Sequence, residues 1–179
     1  MTETRRSARG EQPLPDYQNA LGFLVRQLYQ IVLALFLEVS DGIDITPVQY
    51  AALQAIRDNP DNDQRLIGGL IAVDRSTINV VSLRLEEKGM IVRHPIGGRR
   101  VRLELAEPGW VVLREMAKVI PAHADRILAP LQPDQRDAFM AMLKTLVDKN
   151  NDLSRAPLRG QSSAHNKPAK RGGARSSDA

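Results

Sequence analysis

The chain has 179 residues, of which 42% are hydrophobic, and its formal net charge is +4. It contains no cysteine, which excludes disulfides, thiolate metal sites and redox sensing by thiols. Its longest apolar run, from Ile31 to Leu37, is too short to cross a bilayer, so we expect a cytoplasmic protein without a membrane segment.

The N-terminal part is predicted to hold a flexible arm and two helices. Residues 1–15 mix arginine, glutamate, glycine and proline without an apolar period, which is typical of a disordered arm. From residue 16 to about 42, apolar residues recur at steps of three and four, the pattern of a long amphipathic helix. Thr46 and Gln49 fit a capping box around Pro47, so a second helix is predicted over 47–58.

Two further helices are predicted close together in the chain. A short third helix fits residues 64–71, and a fourth fits residues 75–88, capped by Asp74 and stopped at Gly89. Two helices joined by so few residues make a helix-turn-helix. The expected inward residues are Leu66, Ile67, Leu70 and Ile71 in the third helix and Ile78, Val81 and Leu85 in the fourth.

A hairpin and two more helices complete the predicted domain. Short strands over 90–93 and 101–105 flank a glycine-rich tip, which indicates a wing. A fifth helix follows from Glu107 to about residue 127, with Pro121 as a candidate bend, and a sixth begins at Pro133. The predicted fold class is mainly α with a small β-hairpin, a winged helix-turn-helix with N- and C-terminal dimerisation helices.

The charge is distributed unevenly. Residues 154–179 are poor in large apolar residues and carry +5, which predicts a disordered basic tail, whereas the domain over 16–153 together with the arm carries −1. The tail's role is open between non-specific phosphate attraction and ordinary solubility. Within the domain, basic residues concentrate between Arg75 and Arg102, which gives the domain one basic pole.

The order of these elements resembles that of the MarR family of transcriptional regulators. The residues that carry the resemblance are Leu21 to Arg26, Ile45 to Tyr50, Val73 to Thr77 and Leu83 to Ile91. It covers residues 20–150 and implies a homodimer, formed by the first, fifth and sixth helices, that reads a palindromic operator in double-stranded DNA. The family's wing usually reads Asp-Arg-Arg, with the aspartate bracing an arginine, whereas this chain has glycine at position 98.

The candidate DNA-binding residues lie on the fourth helix and the wing. Short polar groups and a methyl-contacting valine on the helix suit base edges in the major groove, while arginines suit phosphates or guanine. Arginines at the wing tip suit the minor groove, although Arg102 is also a candidate brace of the hairpin. The full set is Arg75, Ser76, Thr77, Asn79, Val80, Arg84, Arg99, Arg100 and Arg102.

Many members of the resembled family bind small aromatic acids between the dimer helices and the winged module, which implies an aromatic acid effector here. The candidate residues are Arg26, Tyr29, Tyr50 and His123. Arg26 would pair with a carboxylate and the tyrosines would flank a ring. The alternatives are that Arg26 is a surface ion-pair residue and His123 a hydrogen-bonded histidine at an interface.

The sequence gives little support to other classes of function. It has no nucleophile elbow, phosphate loop or metal-ligand cluster, and its three histidines are scattered, so we expect neither enzymatic activity nor a cofactor or metal site. The resemblance therefore implies a repressor that leaves an inverted-repeat operator when it binds a small aromatic carboxylic acid, and two alternatives stay open. One is a regulator without an effector, and the other is a protein-interaction module that kept the fold.

Overall fold

A computed structural model of the protein describes residues 16–159, so the predicted arm over 1–15 and the tail from residue 160 onward lie outside the described residues. The predicted order of elements is confirmed. The elements are α1 (Leu21–Val39), α2 (Pro47–Asp58), α3 (Gln64–Leu70), α4 (Arg75–Glu87), β1 (Ile91–Pro95), β2 (Val101–Leu105), α5 (Glu107–Leu128) and α6 (Pro133–Asn150), with short 3-10 turns at Tyr17–Asn19 and Asn151–Leu153.

Side-chain caps set the helix starts. Thr46 and Gln49 form the predicted capping box at α2, with reciprocal hydrogen bonds of 3.3 and 3.1 Å. Asp63 and Asp74 cap α3 and α4 through the backbone N–H groups three residues later. The first helix was predicted from residue 16 and begins instead at Leu21, because Asp16 caps a separate 3-10 turn.

The winged module is built on one apolar core. Helices α2, α3 and α4 surround it together with the antiparallel hairpin, in which Ile91 pairs with Leu105 and Pro95 with Val101. Strand β1 was predicted over 90–93 and continues instead to Pro95. The outer edge of a two-stranded hairpin tolerates a proline. The core includes Leu53, Ile56, Ile67, Ile78, Leu85, Leu103 and Met116, each almost fully buried.

The turn between α3 and α4 is tight. Ala72 has a φ of 55°, the left-handed conformation that turns the chain from α3 toward α4. Leu66 was predicted to face inward, and this is wrong, because its side chain is 41% exposed. A helix of seven residues has too little surface facing the core to bury all of its apolar side chains, and Ile67 takes the buried position.

The terminal helices leave apolar side chains uncovered. Helix α1 packs on α5 through Phe36, through a 3.0 Å hydrogen bond between His123 Nε2 and the Val32 carbonyl, and through an ion pair of 2.7 Å between Arg126 and Glu38. No residue of α6 is buried. The exposed apolar residues on α1 and α6 include Leu21, Leu24, Val25, Ile31, Leu37, Met140, Met142, Leu143, Leu146 and Val147.

Helix α1 is also long and apolar enough, by length and composition, to cross a membrane, which differs from the expectation drawn from its longest apolar run. The helix qualifies because most residues between Leu21 and Val39 are apolar and only Arg26 and Glu38 among them are charged. Such a helix also suits a protein interface, because a partner protein covers its apolar surface as lipid would.

The chain stays ordered past the predicted domain boundary at residue 153. Residues 154–159, expected at the start of the disordered tail, lie against α3, where the Arg159 N–H donates to the Gly69 carbonyl at 2.8 Å. Backbone hydrogen bonding holds this segment in place, and such bonding leaves no trace in an apolar pattern.

The start of α5 depends on a glycine. A Cβ on Gly109 would collide with the backbone carbonyl of Met90, which cannot move without disturbing the hairpin. We expect Gly109→Ala to lower the free energy of unfolding by ~1–3 kcal/mol, the usual cost of overpacking. Gly22→Ala in α1, where a Cβ meets nothing within 4 Å, is the control and should be neutral or stabilising. Urea denaturation compares them, and equal midpoints for Gly109→Ala and the wild type would refute the clash.

Candidate nucleic-acid interface

The exposed half of α4 carries most of the predicted contact residues. Arg75, Ser76, Asn79, Val80 and Arg84 are exposed, whereas Thr77 is half-buried. The helix lies this way because Ile78, Val81 and Leu85 occupy its buried face, so the residues between them point outward. A helix displayed like this behind a turn has the geometry that enters a major groove.

Asp74 fixes the first turn of α4. Its carboxylate accepts the Ser76 hydroxyl at 2.6 Å and the Thr77 N–H at 2.7 Å, and these bonds lower the pKa of Asp74 to about 2. Because the carboxylate stays ionised at neutral pH, it holds the hydroxyl of Ser76 toward itself. Asn79, by contrast, is an exposed polar residue on this helix that Asp74 does not hold.

Gln64 is a central hydrogen-bonding residue that the sequence reasoning did not single out. Its Nε2 donates to Asn79 Oδ1 at 3.4 Å, and its Oε1 accepts from Ser82 Oγ at 2.9 Å and from Arg93 Nη2 at 3.4 Å. Ser82 is fully buried, which anchors this end of the network. Gln64 thereby links the α3 terminus, the hairpin and the exposed amide of Asn79. Its three partners lie 15, 18 and 29 residues away in the chain, and no local sequence pattern records such contacts.

The wing is braced by a residue from outside the hairpin. Arg100 Nε lies 3.0 Å from Asp63 Oδ2, and the carboxylate of Asp63 also caps α3. Burial alone would raise the pKa of Asp63, but the Leu66 N–H and Arg100 outweigh burial and leave that pKa lowered. Asp63 therefore serves the bracing role that glycine at position 98 cannot fill.

The other two wing arginines differ in their surroundings. Arg102 pairs with Glu104 at 3.2 Å and is half-buried, which agrees with the alternative of a hairpin brace. Arg99 is exposed and forms no ion pair within residues 16–159. Among the predicted wing contacts, Arg99 is thus the guanidinium available to an external anion.

An open groove connects the wing with α4. It has a volume of about 680 Å³ and is lined by Gln64, Asp74, Arg75, Ser76, Asn79, Arg99 and Val101. Arg75, like Arg99, has no carboxylate partner in the part of the chain that the structure describes. A polar groove with unpaired arginines on two sides attracts a polyanion.

The candidate ligand residues differ in exposure, two being buried and two exposed. Tyr50 and His123 are buried, and each has a ring-centroid distance of 6.1 Å from Phe36. Arg26 and Tyr29 lie on the exposed surface of α1, and neither side chain forms a hydrogen bond or ion pair within residues 16–159. The hydrogen bond to Val32 agrees with the alternative reading of His123.

Comparison with known proteins gives the same architecture. No protein-family model matches the chain. The HTH-type transcriptional repressor NicR of Pseudomonas putida is 27% identical over 139 residues, which cover 76% of this chain and 88% of NicR. The solved PcaV transcriptional regulator of Streptomyces coelicolor, in complex with its natural ligand, is 32% identical, with a TM-score of 0.66 over 76% of this chain and 98% of PcaV.

Two further solved structures extend the comparison. The transcriptional repressor CouR bound to a 23-mer DNA duplex is 28% identical, with a TM-score of 0.66 over 76% of this chain and 99% of CouR. CouR has also been solved bound to p-coumaroyl-CoA. MarR itself is 25% identical, with a TM-score of 0.66 over 77% of this chain and 95% of MarR. With the winged helix-turn-helix and its basic groove, these similarities show that the chain belongs to the MarR family of transcriptional regulators.

Proposed function

We propose that the protein is a homodimeric repressor of an inverted-repeat operator, released by a small aromatic carboxylic acid. The observation that carries the DNA-binding part is the groove between α4 and the wing, which displays Asn79 together with Arg75 and Arg99, two arginines without an ion pair within residues 16–159. As a DNA-binding regulator it would act in the cytoplasm. The relative CouR, solved on a DNA duplex, supports the proposal.

The operator contacts divide by chemistry. Arg75, Ser76, Asn79 and Val80, with Thr77 behind them, are proposed to read bases in the major groove, and Arg84 to contact a phosphate. Arg99 is proposed to enter the minor groove, with Arg100 and Arg102 bracing the wing behind it. Two copies in a dimer would meet half-sites about one helical turn apart.

The wing arginines should differ in their effect on salt dependence. Arg99→Ala removes a free charge from both protomers of a dimer, so the slope of log affinity against log salt should fall by up to ~1.8. Arg100→Ala should lower the slope less, because Asp63 already offsets the charge of Arg100. Fluorescence anisotropy on one duplex over a salt series measures both. A larger effect of Arg100→Ala than of Arg99→Ala would contradict the assigned roles.

The effector part rests on α1 and α5. Arg26 is exposed on α1 without a carboxylate partner among the described residues, which leaves it available to a ligand carboxylate. Tyr29, on the same surface, is proposed to flank the ring, and Tyr50 and His123 to form the inner wall next to Phe36. Occupancy would act on both helices that connect a dimer to the winged module. The relative CouR, solved with p-coumaroyl-CoA, supports an aromatic effector.

Titration of a labelled operator with benzoates, hydroxycinnamates and pyridine carboxylates tests this function. We expect one class to lower operator affinity about a hundredfold, a coupling of ~2.7 kcal/mol, and to raise the melting temperature of the free protein. Arg26→Ala should lose most of that response. Peroxide should have no effect, since the chain has no cysteine.

The outcomes separate the two parts of the proposal. Release by peroxide with no response to any acid would defeat the ligand model. A full response in Arg26→Ala would remove only the proposed anchor. Strong operator binding that no acid alters would favour a regulator without an effector.

A further inference from the structure

The segment that follows α6, residues 154–159, lies directly on the helix-turn-helix. The Arg159 N–H donates to the Gly69 carbonyl at 2.8 Å, and the Arg159 Cβ lies 3.0 Å from where a Cβ on Gly69 would be. The close approach is therefore possible because residue 69 has no side chain. The contact brings a segment 90 residues distant in the chain against α3.

Hydrogen bonds close this segment into a fixed loop. The side-chain amide of Asn151 donates to the Leu158 carbonyl at 3.1 Å and accepts the Leu158 N–H at 2.8 Å. The Ser154 hydroxyl accepts the Ala156 N–H at 3.1 Å. Leu158 itself is exposed, so the loop is held by polar contacts at its base and by the Gly69 carbonyl at its end. Asn151 is thus a positioning residue for Arg155 and Arg159.

The loop completes a cluster of arginines. A cavity of about 360 Å³ between the loop and the helix-turn-helix is lined by Arg65, Arg75, Arg155 and Arg159, with Asp74 as its acidic residue. None of these four arginines forms an ion pair within residues 16–159. The carboxylate of Asp74 is already occupied by Ser76 and Thr77. Four guanidinium groups against one carboxylate leave the cavity with an excess of positive charge, which attracts an external anion.

The cluster is continuous with the proposed operator surface. Arg75 lines this cavity and also the groove that holds Asn79 and Arg99. An anion that reaches both the cavity and the groove must therefore extend across the N-terminal end of α4. The backbone of duplex DNA does so, because the phosphates that flank a recognition helix follow the edges of the groove it occupies.

We propose that Arg155 and Arg159, carried onto α3 by the loop after α6, bind backbone phosphates beside each half-site together with Arg65. The proposal rests on the DNA-binding function above and adds to it a contact surface outside α4 and the wing. Phosphate contacts of this kind raise affinity for any sequence and carry no base information. The C-terminal segment would therefore strengthen binding without changing which operator is chosen.

The test uses the full chain with Arg155→Ala and Arg159→Ala combined, which removes four guanidinium groups from a dimer. Binding to a mixed-sequence duplex and to a duplex selected from a random library, each about three helical turns long, is measured over a salt series. The slope of log affinity against log salt should fall by up to ~3.6, and both duplexes should lose affinity by the same factor. Asn151→Ala should give a smaller change in the same direction.

Two controls isolate the position of the charge. Lys144→Ala combined with Lys149→Ala removes the same charge from α6 and should leave the slope unchanged. Arg155→Lys combined with Arg159→Lys should keep most of the slope. A wild-type slope in the double alanine variant would overturn the inference while leaving the DNA-binding function intact. Equal losses in the Lys144 and Lys149 control would also overturn it, whereas a wild-type protein with no salt-dependent binding to either duplex would refute the DNA-binding function itself.

Discussion

Replacing Leu143 and Leu146 on α6 by aspartate should convert the dimer into monomers. Both side chains are exposed in the single chain, at 41% and 56%. They belong to an apolar stripe on α6, a helix in which no residue is buried. Burial of a leucine is worth ~1.5–3 kcal/mol, so losing four of them from a two-fold interface costs ~6 kcal/mol or more. At ~1.4 kcal/mol per factor of ten, the dimer should weaken at least about ten-thousandfold.

Sedimentation or light scattering at micromolar concentration measures this change. Ala141→Asp is the control, because at ~100° per residue the exposed position 141 lies roughly opposite both Leu143 and Leu146 on the helix. Removal of the whole helix and the residues up to 153, by deletion of residues 132–153, should have the same effect as the double substitution. A truncated protein that stays dimeric would place the interface elsewhere, on α1 and α5 alone.

The second large effect is expected from Asn79→Ala. Asn79 is exposed and lines the groove between α4 and the wing, and a good base contact contributes ~1–3 kcal/mol. A dimer loses two such contacts, so discrimination between operator and random duplex should fall by ~2 kcal/mol or more, about thirtyfold. Affinity for the random duplex should change little. Thr77→Ala should also reduce discrimination, but less, because Thr77 is half-buried and its N–H binds Asp74.

Gln64→Ala separates positioning from contact. It removes the partner of Asn79 Oδ1 without touching the exposed surface of α4, so it should give an intermediate loss of discrimination. Asn19→Ala, which removes an exposed asparagine that binds only Asp16 among the described residues, is the control. If Asn79→Ala, Thr77→Ala and Arg99→Ala all bound operator and random duplexes as the wild type does at fixed salt, the recognition surface would lie elsewhere.

The sequence by itself determined the elements and the faces of the winged module. The capping box at Thr46, the cap at Asp74 and the buried positions Ile78, Val81 and Leu85 are local signals, because caps and helical periods act over a few residues. It also placed Arg75, Asn79 and Arg99 on the exposed parts of α4 and the wing. It determined the ends of elements less exactly, as the start of α1 and the end of β1 show.

Only the tertiary structure decided which of these residues act together. Asp63 reaches Arg100 across 37 residues, Gln64 meets Asn79 and Ser82, and Gly69 receives Arg159 from the far end of the chain. It also separated the ligand candidates into a buried pair and an exposed pair. Each of these contacts depends on how helices and hairpin pack around the core, and packing brings together residues whose separation in the chain carries no periodic signal.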